Sequence, residues 1–125
     1  DGGGSSAAVD EARKLVEDKQ YAEAIAKLNT ALKDDPQNAE AWNLLGFSSR
    51  MNGDFDASEK YYVNALKLEP EHRGALNYMG QLFVQTGRME KARDVLARLE
   101  KACAGECKEF DQLAQAIKDG KAGNY

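Results

Sequence analysis

The sequence contains few of the residues on which metal, haem and disulfide-rich proteins depend. Its 125 residues include one histidine, two cysteines and two prolines, so a site built from several imidazoles is excluded. No apolar run approaches the roughly 18 residues of a membrane-spanning helix. Lys and Arg number 17 against 21 Asp and Glu, a formal net charge of -4, which disfavours general nucleic-acid binding. The length suits one compact domain.

No arrangement typical of an enzyme is present. The sequence has no glycine-rich phosphate loop, no Ser/His/Asp set and no paired carboxylates. No catalytic residue, metal ligand or cofactor is therefore predicted. His72 lies alone between two predicted helices and is given no role. We expect a protein that binds rather than catalyses.

An internal repeat is indicated by the two prolines, Pro36 and Pro70, which lie 34 residues apart. The same offset pairs many small and apolar residues along the chain. The pairs are Trp42 with Leu76, Asn43 with Asn77, Leu45 with Met79, Gly46 with Gly80, Gly53 with Gly87 and Ala31 with Ala65, while Ala24 is matched by Ser58 and Ala92. So many coincidences at one period predict a repeat protein.

The pattern inside each repeat predicts two helices joined by a tight turn. Gly53 and Gly87 fall where a residue with positive φ ends a helix, and Asp54 suits the N-cap of the helix that follows. Gly46 and Gly80 lie inside helical patterns, where glycine costs about 1 kcal/mol relative to alanine. They therefore predict a close approach between the first and second helix of a repeat. Seven helices are expected, near residues 7–18, 21–33, 39–51, 55–67, 73–85, 89–103 and 107–118.

This 34-residue unit resembles the tetratricopeptide repeat, whose signature is W-x2-L-G-x2-Y, then A-x3-F, then P. The middle repeat carries the signature most fully, with Trp42, Leu45, Gly46, Ser58, Tyr62, Ala65 and Pro70 in place and Ser49 where Tyr is usual. The third repeat retains Gly80, Phe83 and Ala92, whereas the first matches only in its second half. The resemblance implies an all-α fold, a right-handed α-solenoid of three helix-turn-helix units over about 5–36, 39–70 and 73–104. A capping helix over 107–118 would follow.

The resemblance also implies a non-enzymatic interaction module. In such arrays the first helix of each repeat lines a concave groove that binds a peptide or a helix of a partner protein. The groove residues expected here are Arg13, Asn43, Phe47, Arg50, Asn77, Tyr78, Gln81 and Gln85. Side-chain amides both donate to and accept from a peptide backbone, and aromatic rings add apolar contact area. The alternative is that the amides only face solvent and that Phe47 and Tyr78 pack between helices.

One binding mode of the family is disfavoured. The positions that hold the terminal carboxylate of a chaperone in some members fall at Val9, Arg13, Leu44, Gly74 and Tyr78. Only Arg13 carries a charge. An anionic chaperone tail is therefore a poor candidate ligand.

Self-association is the second functional hypothesis. The first repeat is degenerate, and Val9, Ala12 and Val16 would leave apolar surface that another copy covers. Ser5 and Ser6, as N-caps, instead suggest a solvated end. A monomer and a weak homo-oligomer both remain compatible with the sequence.

The first residue is Asp1 rather than Met, and a Gly/Ser stretch follows, which predicts a flexible tether over residues 1–6. This start is compatible with a tag remnant. It is equally compatible with a mature exported chain after removal of a signal peptide, with a lipid anchor upstream. At the other end, residues 119–125 are predicted to fray.

Cys103 and Cys107 flank the turn before the predicted capping helix, with Gly105 between them. Three states are compatible with this spacing: a disulfide worth roughly 2 kcal/mol, two reduced thiols packed as small apolar groups, or a redox or metal site. For a metal, the two cysteines supply only half of a tetrahedral set of ligands. Lys108 stands where a haem-attachment motif needs histidine. The disulfide is favoured, and it predicts a periplasmic or otherwise extracytoplasmic location, with the cytoplasm as the alternative.

A thiol titration of unfolded, unreduced protein tests the cysteine prediction. We expect no titratable thiol before reduction and two after it, because Cys103 and Cys107 are the only cysteines. Two free thiols without a reductant would contradict the disulfide and remove its support for an oxidising compartment.

Overall fold

The computed structural model describes residues 2–125, with side chains from residue 6 onward, and every regular element in that range is a helix. The helices are α1 (Gly2–Glu17), α2 (Tyr21–Asp34), α3 (Ala39–Met51), α4 (Phe55–Leu68), α5 (Arg73–Gln85), α6 (Met89–Ala102) and α7 (Lys108–Asp119). They form two compact units. Unit 1 extends to Glu69 and contains α1 to α4, and unit 2, Pro70–Tyr125, contains α5 to α7. The predicted all-α class is confirmed.

Helix boundaries agree with the predicted ones to within one residue, except at the start of α1. This helix begins at Gly2 rather than near residue 7, so the predicted tether is helical over its described residues. Asp1 lies outside them. Buried Val9 and Ala12 anchor the helix in the core, and a helix that has nucleated gains one hydrogen bond for each residue added to it.

The turns within the three helix pairs share one backbone geometry. Lys19, Gly53 and Gly87 have φ angles of 61°, 83° and 76°. In each turn the following amide donates to the carbonyl five residues back, from Gln20 to Leu15, from Asp54 to Ser49 and from Arg88 to Phe83, at 2.7–2.9 Å. The role predicted for the two glycines is confirmed, and the first repeat places a lysine in the same left-handed conformation.

Side-chain caps begin three of the helices. Asn38, Asp54 and His72 each accept a hydrogen bond from the backbone N–H three residues later, at 3.0, 3.3 and 3.0 Å. The cap predicted at Asp54 is confirmed. His72, which was given no role, caps α5 through Nδ1 and lies one repeat after Asn38, so the 34-residue register pointed to it.

Helices approach closely at the two buried glycines. A Cβ atom added to Gly46 would lie 2.7 Å from the ring of Tyr62 on α4, and the Ser58 hydroxyl donates to the Gly46 carbonyl at 2.7 Å. The close approach predicted between the helices of the middle repeat is confirmed. At Gly80 the nearest atoms belong to Leu113, 2.5 Å from the added Cβ, so the close neighbour there is α7.

The core of unit 1 is made of aliphatic side chains from α1, α2 and α3. Its buried members are Val9, Ala12, Ala24, Leu28, Ala31, Leu32, Ala41, Leu44 and Leu45. Val16 is partly buried against this cluster. The apolar residues that would have supported self-association are therefore used within the chain's own core.

The residues after α7 fold back onto unit 2. Gly120, at φ 67°, ends α7, and the Lys121 amide donates to Ala116 at 3.1 Å. Beyond this turn the Gly123 amide donates to Oε1 of Gln81 at 2.9 Å. The left-handed glycine reverses the chain, and the buried Gln81 side chain offers the reversed segment an acceptor. Fraying of residues 119–125 stays a prediction.

Replacing Lys19 with glycine tests the turn geometry. A side chain in the left-handed region costs about 1 kcal/mol or more, while glycine makes the unfolded chain more flexible. We expect Lys19→Gly to raise the free energy of unfolding in urea by about 0.5–1 kcal/mol, and the matched Gly53→Ala to lower it. A destabilised Lys19→Gly variant would contradict this account.

Candidate functional site

Four of the predicted groove residues lie on the first helices of unit 1. Arg13 is on α1, while Asn43, Phe47 and Arg50 are spaced by four and three residues and so share one side of α3. Glu40 lies one turn before Asn43. We call these five residues the α1–α3 face.

An ion-pair network joins α1 to α3 at this face. The Arg13 guanidinium donates to Asp10 at 2.9 Å and to Glu40 at 3.0 Å. The hydrogen bond to Glu40 is the main reason that the pKa of Arg13 is raised above its ordinary value. Glu40 was not predicted as a site residue, although its position three residues before Asn43 placed it on the same side of the helix.

Asn43 is the most constrained polar group of the face. Its side chain is 3% exposed, and its Nδ2 donates to Oε1 of Glu40 at 3.1 Å. Its Oδ1 has no hydrogen-bond partner among the described residues. An unpaired buried acceptor costs about 1–3 kcal/mol, so an incoming N–H donor would recover that free energy.

Phe47 supplies the aromatic part of the face. The ring is half-buried and meets the Tyr21 ring edge to face, with 6.3 Å between centroids. The Arg50 guanidinium carbon lies 5.4 Å from the Phe47 centroid, within reach of a cation–π interaction. Arg50 is itself 2% exposed, so it supports the ring rather than presenting a solvated charge.

In unit 2 two side-chain amides of the predicted groove are hydrogen-bonded within the unit. Asn77 and Gln81 are buried, and Nδ2 of Asn77 donates to Oε1 of Gln112 on α7 at 2.7 Å. Nε2 of Gln81 donates to Oδ1 of Asn77 at 3.0 Å and to the Gln112 carbonyl at 3.3 Å. These two predicted groove residues therefore bind the chain's own last helix, while Tyr78 is half-buried and Gln85 is exposed.

The two cysteines lie at the junction of α6 and α7. Their sulfur atoms are 1.99 Å apart and their Cα atoms 5.8 Å apart, which is bonding distance for a disulfide. Cys103 is buried and Cys107 is the residue before α7. Within residues 2–125 no group of three or more His, Cys, Asp and Glu side chains is placed to hold a metal ion, and no helix is long and apolar enough to cross a membrane.

A shallow surface depression of about 620 Å³ lies between α1 and α2 in unit 1. Its lining mixes both signs of charge, and the ammonium of Lys27 donates to the carboxylate of Glu11 across it. That hydrogen bond lowers the pKa of Glu11 from its ordinary value. Because Lys27 and Glu11 pair with each other, these two charges are already partnered within the pocket.

Two family models match consecutive parts of the chain. One, described as tetratricopeptide repeat, covers residues 50–106, and another, described as TPR repeat, covers residues 12–49. The chain belongs to the tetratricopeptide repeat family. The helix pairs and their repeated turns are thus those of tetratricopeptide repeats.

Similar proteins and structures extend this assignment. Cellulose synthase 1 operon protein C of Komagataeibacter xylinus is 31% identical over 99 residues, which are 79% of this chain and 8% of that protein. The chain thus spans less than a tenth of this relative. The first TPR of Spaghetti (RPAP3) bound to HSP90 peptide SRMEEVD has a TM-score of 0.83 at 16% identity, covering 95% of this chain and 94% of the other.

A second solved structure is similar at the level of the fold. It is the Yersinia enterocolitica type III secretion chaperone SycD in complex with a peptide of the translocator YopD. Its TM-score is 0.79 at 15% identity, covering 92% of this chain and 87% of that one.

The ion pairs of the α1–α3 face are expected to contribute little to stability. The Arg13 and Glu40 side chains are 42% and 36% exposed, and such pairs are typically worth less than about 1 kcal/mol. Arg13→Gln should therefore lower the free energy of unfolding by less than about 1 kcal/mol, and by less at high salt. Lys14→Gln is the matched control for loss of charge. A loss of several kcal/mol in Arg13→Gln alone would contradict this expectation.

Proposed function

We propose that the chain is a non-enzymatic protein-interaction module that binds a peptide segment or helix of a partner at the α1–α3 face. The observation that carries the proposal is the Asn43 side chain, whose Oδ1 is buried without a hydrogen-bond partner among the described residues. Because this acceptor is buried, a backbone or side-chain N–H of a partner would satisfy it by displacing the side chains that cover it.

The charges around Asn43 indicate what kind of segment would bind. Arg13 is already paired with Asp10 and Glu40, and Arg50 is 2% exposed, so neither guanidinium is presented to an anionic terminus. Phe47, held by Tyr21 and Arg50, offers the edge of a half-buried ring. A neutral or basic segment with backbone donors and one apolar side chain fits these groups best.

Peptide binding by structural neighbours supports this proposal. The two solved structures described above hold an HSP90 peptide and a YopD peptide respectively. For the present chain we propose a peptide ligand as well, but not the acidic HSP90 peptide. Of the five positions that would hold its terminal carboxylate, only Arg13 carries a charge, and Arg13 is paired with Glu40.

An extracytoplasmic location is also proposed. The support is the pairing of Cys103 with Cys107 at the junction of α6 and α7, since disulfides persist in oxidising compartments. Self-association through the first repeat is not carried further, because Val9 and Ala12 are buried in the core of unit 1.

A binding screen with matched asparagine variants tests the proposed function. Short peptides selected from a random array against the wild-type chain are titrated by calorimetry into Asn43→Ala and Asn29→Ala. Asn29 is exposed on α2 and controls for loss of an amide elsewhere. We expect about tenfold weaker binding for Asn43→Ala, the equivalent of one lost hydrogen bond, and no change for Asn29→Ala.

The HSP90 peptide SRMEEVD is the negative control for the ligand class. Wild-type affinity in Asn43→Ala would place the binding site elsewhere. If SRMEEVD binds saturably to the wild-type chain and also to Arg13→Gln, the proposal that the ligand is a neutral or basic segment is contradicted.

A further inference from the structure

We propose that the last residues of the chain, 122–125, occupy a seat for an extended peptide on unit 2, and that a partner segment of similar chemistry binds there by displacing them. This segment is called the tail, and the seat is formed by α5 and α7. The proposal stands on unit 2 alone and does not rest on the α1–α3 face.

The central contact of the seat is a backbone-to-side-chain hydrogen bond. The Gly123 N–H donates to Oε1 of Gln81 at 2.9 Å. Gln81 has no exposed surface, and its Nε2 is held by Asn77 and by the Gln112 carbonyl at 3.0 and 3.3 Å. The acceptor is therefore fixed in position before the tail arrives, which favours binding of a backbone N–H.

A small cavity follows the tail along α7. It has a volume of about 130 Å³ and is lined by Gln112, Gln115, Ala116 and Asp119 from α7 and by Lys121, Ala122, Gly123 and Tyr125 from the tail side. The tail thus leaves part of its seat unfilled. A partner segment with a larger side chain beside the cavity, at a position other than that of Gly123, would gain contacts that the tail does not make.

The fold does not need the tail to hold α7 in place. Leu113 fills the space beside Gly80, and Gln112 accepts from Asn77 at 2.7 Å. The helix ends at Gly120 and Lys121, whose amides donate to the last turn. Residues 122–125 lie beyond these contacts, so their release leaves the helical packing intact.

The local packing of the tail indicates which segments can replace it. A Cβ atom at Gly123 would lie 2.2 Å from the Tyr125 ring, so the ring is folded against the backbone two residues before it. A segment that adopts the conformation of the tail therefore needs an N–H donor without a side chain, two residues before an aromatic. Glycine two residues before an aromatic is the expected partner motif.

Competition between the tail and a free peptide tests the proposal. The probe is the synthetic peptide acetyl-Lys-Ala-Gly-Asn-Tyr, and its control carries N-methylglycine in place of glycine, which removes only the N–H donor. Both are titrated into the full chain and into a chain ending at Lys121, with the Gln81 side-chain amide followed by NMR. Because a tail bound nine-tenths of the time reduces apparent affinity about tenfold, the shortened chain should bind the probe at least about tenfold more tightly.

Gly123→Pro provides a second variant without a deletion. It removes the same N–H, and we expect it to shift the Gln81 amide signals toward those of the shortened chain. Equal binding of the probe to the full and shortened chains, or no binding to either, would overturn the proposal. So would equal binding of the two peptides, or loss of helix content on removal of residues 122–125.

Discussion

The close contact between a glycine on one helix and a large side chain on another is the constraint on which both units depend. In unit 1, Gly46 admits the ring of Tyr62, which is fully buried. In unit 2, Gly80 admits Leu113. At each point glycine destabilises its helix by about 1 kcal/mol relative to alanine. Burial of the large side chain that it admits stabilises the fold by about 1.5–3 kcal/mol and offsets that cost. The same contact fixes the rotation of α3 about its axis and so sets the positions of Asn43 and Phe47.

Repeated sequence positions acquire different chemistry according to the element that packs beside them. Asn43 and Asn77 occupy the same register, yet Oδ1 of Asn43 has no hydrogen-bond partner within residues 2–125, whereas Asn77 is bonded to Gln112 and Gln81. The difference arises because α7 packs on α5 with the polar side chain of Gln112, and the tail adds the backbone N–H of Gly123. The repeat register therefore fixes where a side-chain amide lies, and the helix packed beside it determines which hydrogen bonds that amide makes.

Much of the fold could be predicted because it is local and periodic. The 34-residue offset gave the helices, the left-handed turns at Gly53 and Gly87, and the cap at Asp54. The contacts of α7 and the tail could not be predicted, because Gln112, Leu113 and Gly123 belong to no repeat and their partners depend on tertiary packing. His72 was missed for another reason: histidine is an uncommon N-cap, and only its register with Asn38 marks it.

A nuclear Overhauser measurement tests the glycine contacts most directly. The account predicts strong cross-peaks from the Gly46 α-protons to the Tyr62 ring and from the Gly80 α-protons to the Leu113 methyl groups, because no Cβ separates the helices at these points. Absence of both sets of cross-peaks in the folded protein would contradict the packing on which the α1–α3 face and the seat on unit 2 are built.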